Sequence, residues 1–221
     1  MPKILANGLV LRALSENHAS DQAQLPDFYA GINTEGENEH VQNGMRHWAR
    51  SLMHGHPTVT LDDIFVVVDP ARDNLVVSAT LLIPQTWQYA GIPIAVGRPE
   101  LVATHPEYRS RGLVRALFEA VHERSAALGH QLYVITGIAH YYRQFGYTMA
   151  VDLDRHAVFQ LVALPDLAAV YQPAYTLRPA TPDDIPAMTA WHAHFARERL
   201  LTDAFSPESW RYEITGRHWG F

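Results

Sequence analysis

Thr104-His-Pro-Glu-Tyr-Arg109-Ser-Arg-Gly112-Leu-Val114 places two arginines and a glycine directly before a run with helical periodicity. The first amides of a helix lack intrachain acceptors and carry the positive end of its dipole, which makes such a junction an anion site. Gly112 lets the backbone approach a ligand closely, and Arg109 and Arg111 add positive charge beside it. The segment reads as a phosphate cradle. Elsewhere, thirteen histidines invite a search for metal sites. The pairs His54-Gly-His56 and His192-Ala-His194 have no third ligand at a recognisable spacing, so no metal is expected. No cysteine is present, which removes disulfides, thiol nucleophiles and thiolate metal sites. Nucleotide-fold and hydrolase signatures (G-x-G-x-x-G, G-x-x-x-x-G-K, G-x-S-x-G) are absent.

The elements that must carry the cradle follow from periodicity. Pro99-Glu-Leu-Val-Ala-Thr104 is extended and enters it through a turn at Pro106. Val114, Leu117, Phe118, Val121, Ser125 and Leu128 leave it as one face of a helix, and Gly129 stands where a left-handed cap belongs. Gln131–Thr136 then reads as a buried strand, parallel to the one before the helix because a strand–helix–strand crossover requires it. A short helix from Ala139 to Phe145 stops at Gly146, and strands are expected at Tyr147–Leu153 and His156–Leu161. Upstream, Leu9–Leu14 reads as a strand whose following helix is capped by Ser15 or Asn17. Gly31–Asn38 reads as a mobile loop and Glu39–Met53 as an amphipathic helix. Ile64–Asp69 and Asn74–Ile83 form a hairpin about Asp69-Pro-Ala-Arg-Asp73. A second hairpin turns near Ala90-Gly91 and returns from Ile92 to Thr104, with Gly97 and Pro99 expected to bend or bulge it.

Pro165–Pro173 looks like a connector. Beyond it, Leu177-Arg-Pro-Ala-Thr181 echoes Leu11-Arg-Ala-Leu-Ser15: a strand leading to a hydroxyl cap and a helix, with Thr181 as N-cap, Pro182 at the first position and Asp184 in the first turn. Ile185, Met188, His192 and Phe195 mark one face of that helix. The expected division is residues 1–165, a linker at 166–175, and 176–221 as the start of a second similar unit or an extension. With 221 residues, 48% hydrophobic, no long apolar run and a formal net charge of −6, the expectation is a soluble, cytoplasmic protein. Nucleic acid and membrane are not expected partners.

The cradle between a bent strand and a helix, followed by strand and short helix, resembles the GCN5-related N-acetyltransferase (GNAT) superfamily. Leu101–Val114 matches that family's coenzyme A signature, and Tyr141-Tyr-Arg-Gln-Phe-Gly-Tyr147 looks like its aromatic-Tyr, three-residue, Gly-aromatic segment. Val114 departs from the pattern, standing where Gly or Ala is usual. The Arg-x-Arg-Gly-Leu form, with a second start downstream, looks like the tandem-domain branch that includes the enhanced intracellular survival proteins. The resemblance implies an α/β fold of mixed α+β sheet type, acetyl-CoA as co-substrate and direct acetyl transfer to a primary amine of a small molecule or peptide. It also implies that the amides of Arg109, Ser110, Arg111, Gly112, Leu113 and Val114 hold the pyrophosphate. Val102, Ala103 and Thr104 would pair with the pantetheine arm, and Tyr142 would protonate the departing thiolate. A bulged strand would leave an unpaired amide able to stabilise an oxyanion. Glu100 is a candidate base on the right strand but off the family's usual glutamate position, which is Arg98 here. His105 and His140 are its neighbours, and the tandem branch draws its base from a C-terminal carboxylate.

Two other readings remain open from residues alone: a non-catalytic acyl-CoA-binding or regulatory domain, and an inactive piece of a tandem enzyme. Tyr141 competes with Tyr142 for the active-site direction. The amine, the acyl length and homo-oligomerisation are not encoded legibly.

Overall fold

Ile64-Phe-Val-Val-Val-Asp69 explains the layering of the molecule. Every residue from Ile64 to Val68 is buried. Alternate side chains enter opposite cores: Ile64, Val66 and Val68 one, Phe65 and Val67 the other, as a pleated strand covered on both faces requires. The computed structural model describes residues 2–16, 19–138, 140–151 and 174–217. Within them a mixed sheet runs in the order β1 (Lys3–Ile4), β2 (Val10–Ala13), β3 (Ile64–Asp69), β4 (Leu75–Tyr89), β5 (Ile92–Thr104), β6 (Leu132–Tyr133). Every neighbouring pair is antiparallel except β5 and β6.

Helices α1 (Ala19–Asn33) and α2 (Glu39–His54) cover one face, burying Leu25, Tyr29, Met45 and Leu52 against it. Asn38 caps α2 by accepting from the Val41 amide at 3.1 Å. Helix α3 (Leu113–Ala127) covers the other face with Leu113, Leu117 and Val121. Inside the first layer, Arg12 on β2 donates from two nitrogens to both oxygens of Asp21 on α1, each at 2.8 Å. Both side chains are buried, so removing either would strand a charge, at a cost of about 3–5 kcal/mol.

The two hairpins form as expected. Asp73 and Asn74 both take left-handed backbone at the first turn, and Ala90 and Gly91 do so at the second. The bulge does not lie where Gly97 and Pro99 suggested. Register slips between Ala79↔Ala103 and Leu81↔Glu100, and Leu101, at φ +52°, absorbs the extra residue. Gly97 serves close packing instead: a Cβ there would overlap Ser125 Oγ and lie 2.7 Å from His130 Nδ1. These two side chains are themselves hydrogen-bonded at 2.6 Å across the end of α3.

Other expectations shift. Gly31–Asn33 is the last turn of α1 rather than loop, because Tyr29, Ala30 and Ile32 still pack on the core. β6 shrinks to Leu132–Tyr133 and is not buried, Leu132 being 37% exposed at the sheet edge. Tyr147–Val151 forms no strand, and neither does Leu177–Thr181. The capping box at Thr181–Asp184 is present, with α4 (Ile185–Ala196) following, although Phe195 on its expected inner face is 52% exposed. Asn17, residues 152–161 and the connector fall outside the described residues.

The C-terminal segment packs back onto the sheet and α2. Strand β7 (Leu201–Asp203) joins the outer half of β4 at Trp87–Tyr89. After α5 (Pro207–Arg211), Tyr212 is buried against α2, its hydroxyl 2.8 Å from Ser51 Oγ and its ring 4.6 Å from that of His56.

Candidate active site

The parallel pair β5–β6 is where the sheet opens. Val96 and Gly97 pair with Leu132 and Tyr133, and the last bond across the pair runs from the Val134 amide to Gly97 O. Past that point no strand joins this edge of β5 among the described residues. The chain instead turns away into the short 3-10 helix Tyr141–Phe145, closed by Gly146 at φ +91°. The gap is a cavity of about 600 Å³. One wall is Val102, Ala103 and Thr104 of β5. Another is the loop and helix start Arg109, Ser110, Gly112, Leu113 and Val114, and Tyr141, Tyr142 and Phe145 form the third.

The cradle is made by backbone. Ser110 at φ +60° and Gly112 at φ +75° both take left-handed backbone, the kind of turn that can present amides on one concave side. Gly112 caps α3 with no side-chain acceptor for the first amides, so those of Leu113, Val114 and Arg115 have no partner among the described residues and stand as donors at the positive end of the helix. Arg111 is the exception among the expected cradle residues. Its guanidinium folds back, donating to Glu107 O at 2.8 Å and lying 4.8 Å above the Tyr108 ring. Tyr108 was not foreseen. Buried between cradle and sheet, it donates to Asp69 at 2.6 Å, holding that carboxyl below its usual range and pinning the loop to the β3–β4 turn.

Tyr142 and Tyr141 are no longer equivalent. Tyr142 packs its ring on Phe118 at 5.6 Å, and a Cβ on Gly137 would come within 2.5 Å of two of its ring carbons. Gly137 is thus the residue that makes room for this ring, a role no local sequence signal carries. Burial, then the neighbouring Tyr141 and Glu100, push the Tyr142 phenol up to about 12, so it stays protonated and able to donate. The framework behind it is aromatic: Phe145 stacks on Phe118 at 4.5 Å, and His122 stacks on Tyr133 at 5.1 Å while meeting the Tyr147 hydroxyl at 2.9 Å.

Glu100 lies beside the cavity rather than in its wall. Its carboxylate is bound by Arg98 and accepts the amide of Leu101 at 3.2 Å. The bulge amide expected to be free for an oxyanion is therefore occupied by its own neighbour's side chain. His105 is also committed, its Nδ1 accepting the Glu107 amide at 3.3 Å. His140 takes a left-handed backbone at the start of the 3-10 turn. His192 pairs with Asp203 at 2.9 Å.

A cleft beside a bulged strand, floored by an uncapped helix start, agrees with a match of residues 35–150 to the family model described as acetyltransferase (GNAT) domain. That span is just over half of the chain. The chain belongs to the GNAT family. Among solved structures, this GNAT chain superposes on Saccharomyces cerevisiae N-myristoyltransferase with bound myristoyl-CoA with a TM-score of 0.64 at 15% identity, over 98% of its own length and 52% of that chain. A probable N-acyltransferase from Enterococcus faecalis gives 0.48 at 16% identity over 63% of this chain and 32% of that one. Glucosamine-6-phosphate N-acetyltransferase from Arabidopsis thaliana gives 0.49 at 12% over 67% and 97%. The GNAT chain thus spans about half of the myristoyltransferase chain and a third of the Enterococcus one. No curated protein matches. Among the described residues no three potential ligands converge on a metal site, and no helix is long and apolar enough to cross a membrane.

Proposed function

We propose that this chain is an acetyl-CoA-dependent N-acetyltransferase acting on a primary amine of a small molecule or peptide. The observation that carries the reading is the convergence, on one cavity, of unpaired α3 amides, an unpartnered β5 edge and the protonated Tyr142 phenol. The cavity fits an acyl-CoA by its chemistry: donors without partners suit phosphates, and an open strand edge suits an amide-bearing arm. Bound acyl-CoA supplies the thioester carbonyl that the amine attacks.

The roles of the chain's own residues then follow. The amides of residues 110–114 bind the pyrophosphate, that of Arg109 being taken by Pro106 O at 3.3 Å, and Val102–Thr104 hold the pantetheine arm as an added strand. Tyr142 gives its proton to the sulfur that leaves as the C–S bond breaks. Glu100, or a water it holds, takes the proton the ammonium must lose, since an amine with an ordinary value of about 10.4 arrives charged. The amine would enter from the side of α1 and α2. Of the two readings of residues 176–221, a partial second unit or an extension of 1–165, the pairing of β7 with β4 and the burial of Tyr212 support the extension.

The test is thiol release by the purified chain from acetyl-CoA across a panel of amines, with longer acyl-CoAs beside it. Amine-dependent release with acetyl-CoA supports the reading. Tight CoA binding without turnover would favour an acyl-CoA sensor instead, an outcome the Arg98 clamp on Glu100 makes worth separating.

A further inference from the structure

Tyr29 is fully buried on α1, and its hydroxyl has no hydrogen-bond partner among the described residues. Such a group is destabilising relative to a satisfied one, yet phenylalanine would fill the same space without that cost. The cross-strand register shows what lies nearby. Leu81 faces Glu100 and Ile83 faces Arg98. Paired residues of an antiparallel ladder share a face, and Leu81 and Ile83 belong to the same core as Tyr29, as does Leu101. Glu100 and Arg98 therefore project onto the α1 side, toward the layer that contains Tyr29. A second orphan sits in the same cluster: Arg98 Nε is buried and unpartnered while the far end of that side chain grips Glu100. The clamped arrangement leaves two polar groups unsatisfied on the face that Glu100 shares with the α1 layer.

We propose that Tyr29 is a positioning residue: its buried hydroxyl donates to the Glu100 carboxylate when that carboxylate leaves Arg98, and so sets where Glu100 stands against the incoming amine. The inference rests on the acyl-transfer reading above. Tyr29 suits the part because burial and the Glu100 charge both hold its phenol above the ordinary range, so it remains a donor and never competes as a base. Arg98 from its own strand and the Leu101 amide at the bulge contact Glu100 directly, and its charge reaches the phenols of Tyr29 on α1 and Tyr142 on the 3-10 turn.

Two measurements on the full chain test this. In the parent, the ¹³Cζ resonance of Tyr29 should move across the pH range in which carboxylates titrate, and should be flat there in Glu100→Gln. In Tyr29→Phe, the acid limb of the thiol-release profile should move up by about one pH unit, roughly tenfold less rate on the limb, with CoA affinity unchanged. A Tyr29 resonance blind to Glu100, or a Tyr29→Phe protein with an unaltered pH profile and only a higher melting temperature, would overturn the inference. If Tyr29→Phe fails to fold, the resonance in the parent and in Glu100→Gln still decides. A parent with no turnover but a Tyr29 signal that follows Glu100 would sink the enzymatic reading while leaving this contact standing.

Discussion

The two sides of the cleft are built from different material. One side is main chain: left-handed Ser110 and Gly112, uncapped amides at the start of α3, and the bulge at Leu101. The other side is side chains: Tyr142 seated over Gly137, Glu100 clamped by Arg98, and Tyr29 buried on α1. A backbone site tolerates most residue types but not a change of φ, whereas a side-chain site depends on single atoms held by neighbours far away in sequence. Substitutions on the first side should therefore weaken binding and on the second should slow chemistry.

The sharpest way to break that division is Tyr142→Phe. Loss of a positioned acid should lower kcat by roughly 10²–10⁴-fold with CoA affinity, read by calorimetry, unchanged; equal loss in both would mean the ring is merely structural. Gly137→Ala attacks the same phenol from behind. Its Cβ must displace the ring, and misplacement of this order costs about 10²-fold in rate, again without a change in CoA binding.

On the main-chain side, Gly112→Ala meets no steric neighbour but must hold φ +75°. That costs an L-residue roughly 1–2 kcal/mol, expected as about a tenfold weaker CoA affinity at near-normal kcat. Ser110→Gly runs the other way, relieving left-handed strain at φ +60° and raising stability by a few tenths to about 1 kcal/mol in a denaturant titration.

A separate effect on stability concerns acid. Burial, then Arg217, lowers the His56 imidazole from its ordinary value to about 4. The unfolded chain thus takes up the proton first, and the stability tied to neutral His56 is complete above pH 6.5 and fades as pH falls toward 4. Because the ring is only partly buried, the discounted loss is about 1–2 kcal/mol. His56 carries Tyr212 against α2, so hydrogen exchange should quicken in α2 before α3 as pH drops, and His56→Gln should flatten that difference.

The legible parts of the fold were those with local causes. The helical face of Val114, Leu117, Phe118 and Val121 and the turn residues of both hairpins depend on neighbours three or four positions away, and these elements formed as read. Gly97 misled because a strand glycine signals either a bulge or a close approach, and only the distant Ser125 and His130 decide between them. β6 was overestimated because an apolar run such as Leu132–Ile135 looks the same whether or not a partner strand is present. Tyr108 carried no signal, since its role depends on Asp69 across the sheet.

What these residues encode unaided is the cradle, because a glycine before a helical face produces unpaired, positively polarised amides wherever it occurs. Where the strand bulges, what seats the Tyr142 ring and what clamps the Glu100 carboxylate were settled only by folding. Those choices depend on register and on Cβ-scale clearances between segments remote in the chain, as between Leu81 and Glu100 or Gly137 and Tyr142, and no local pattern records such distances.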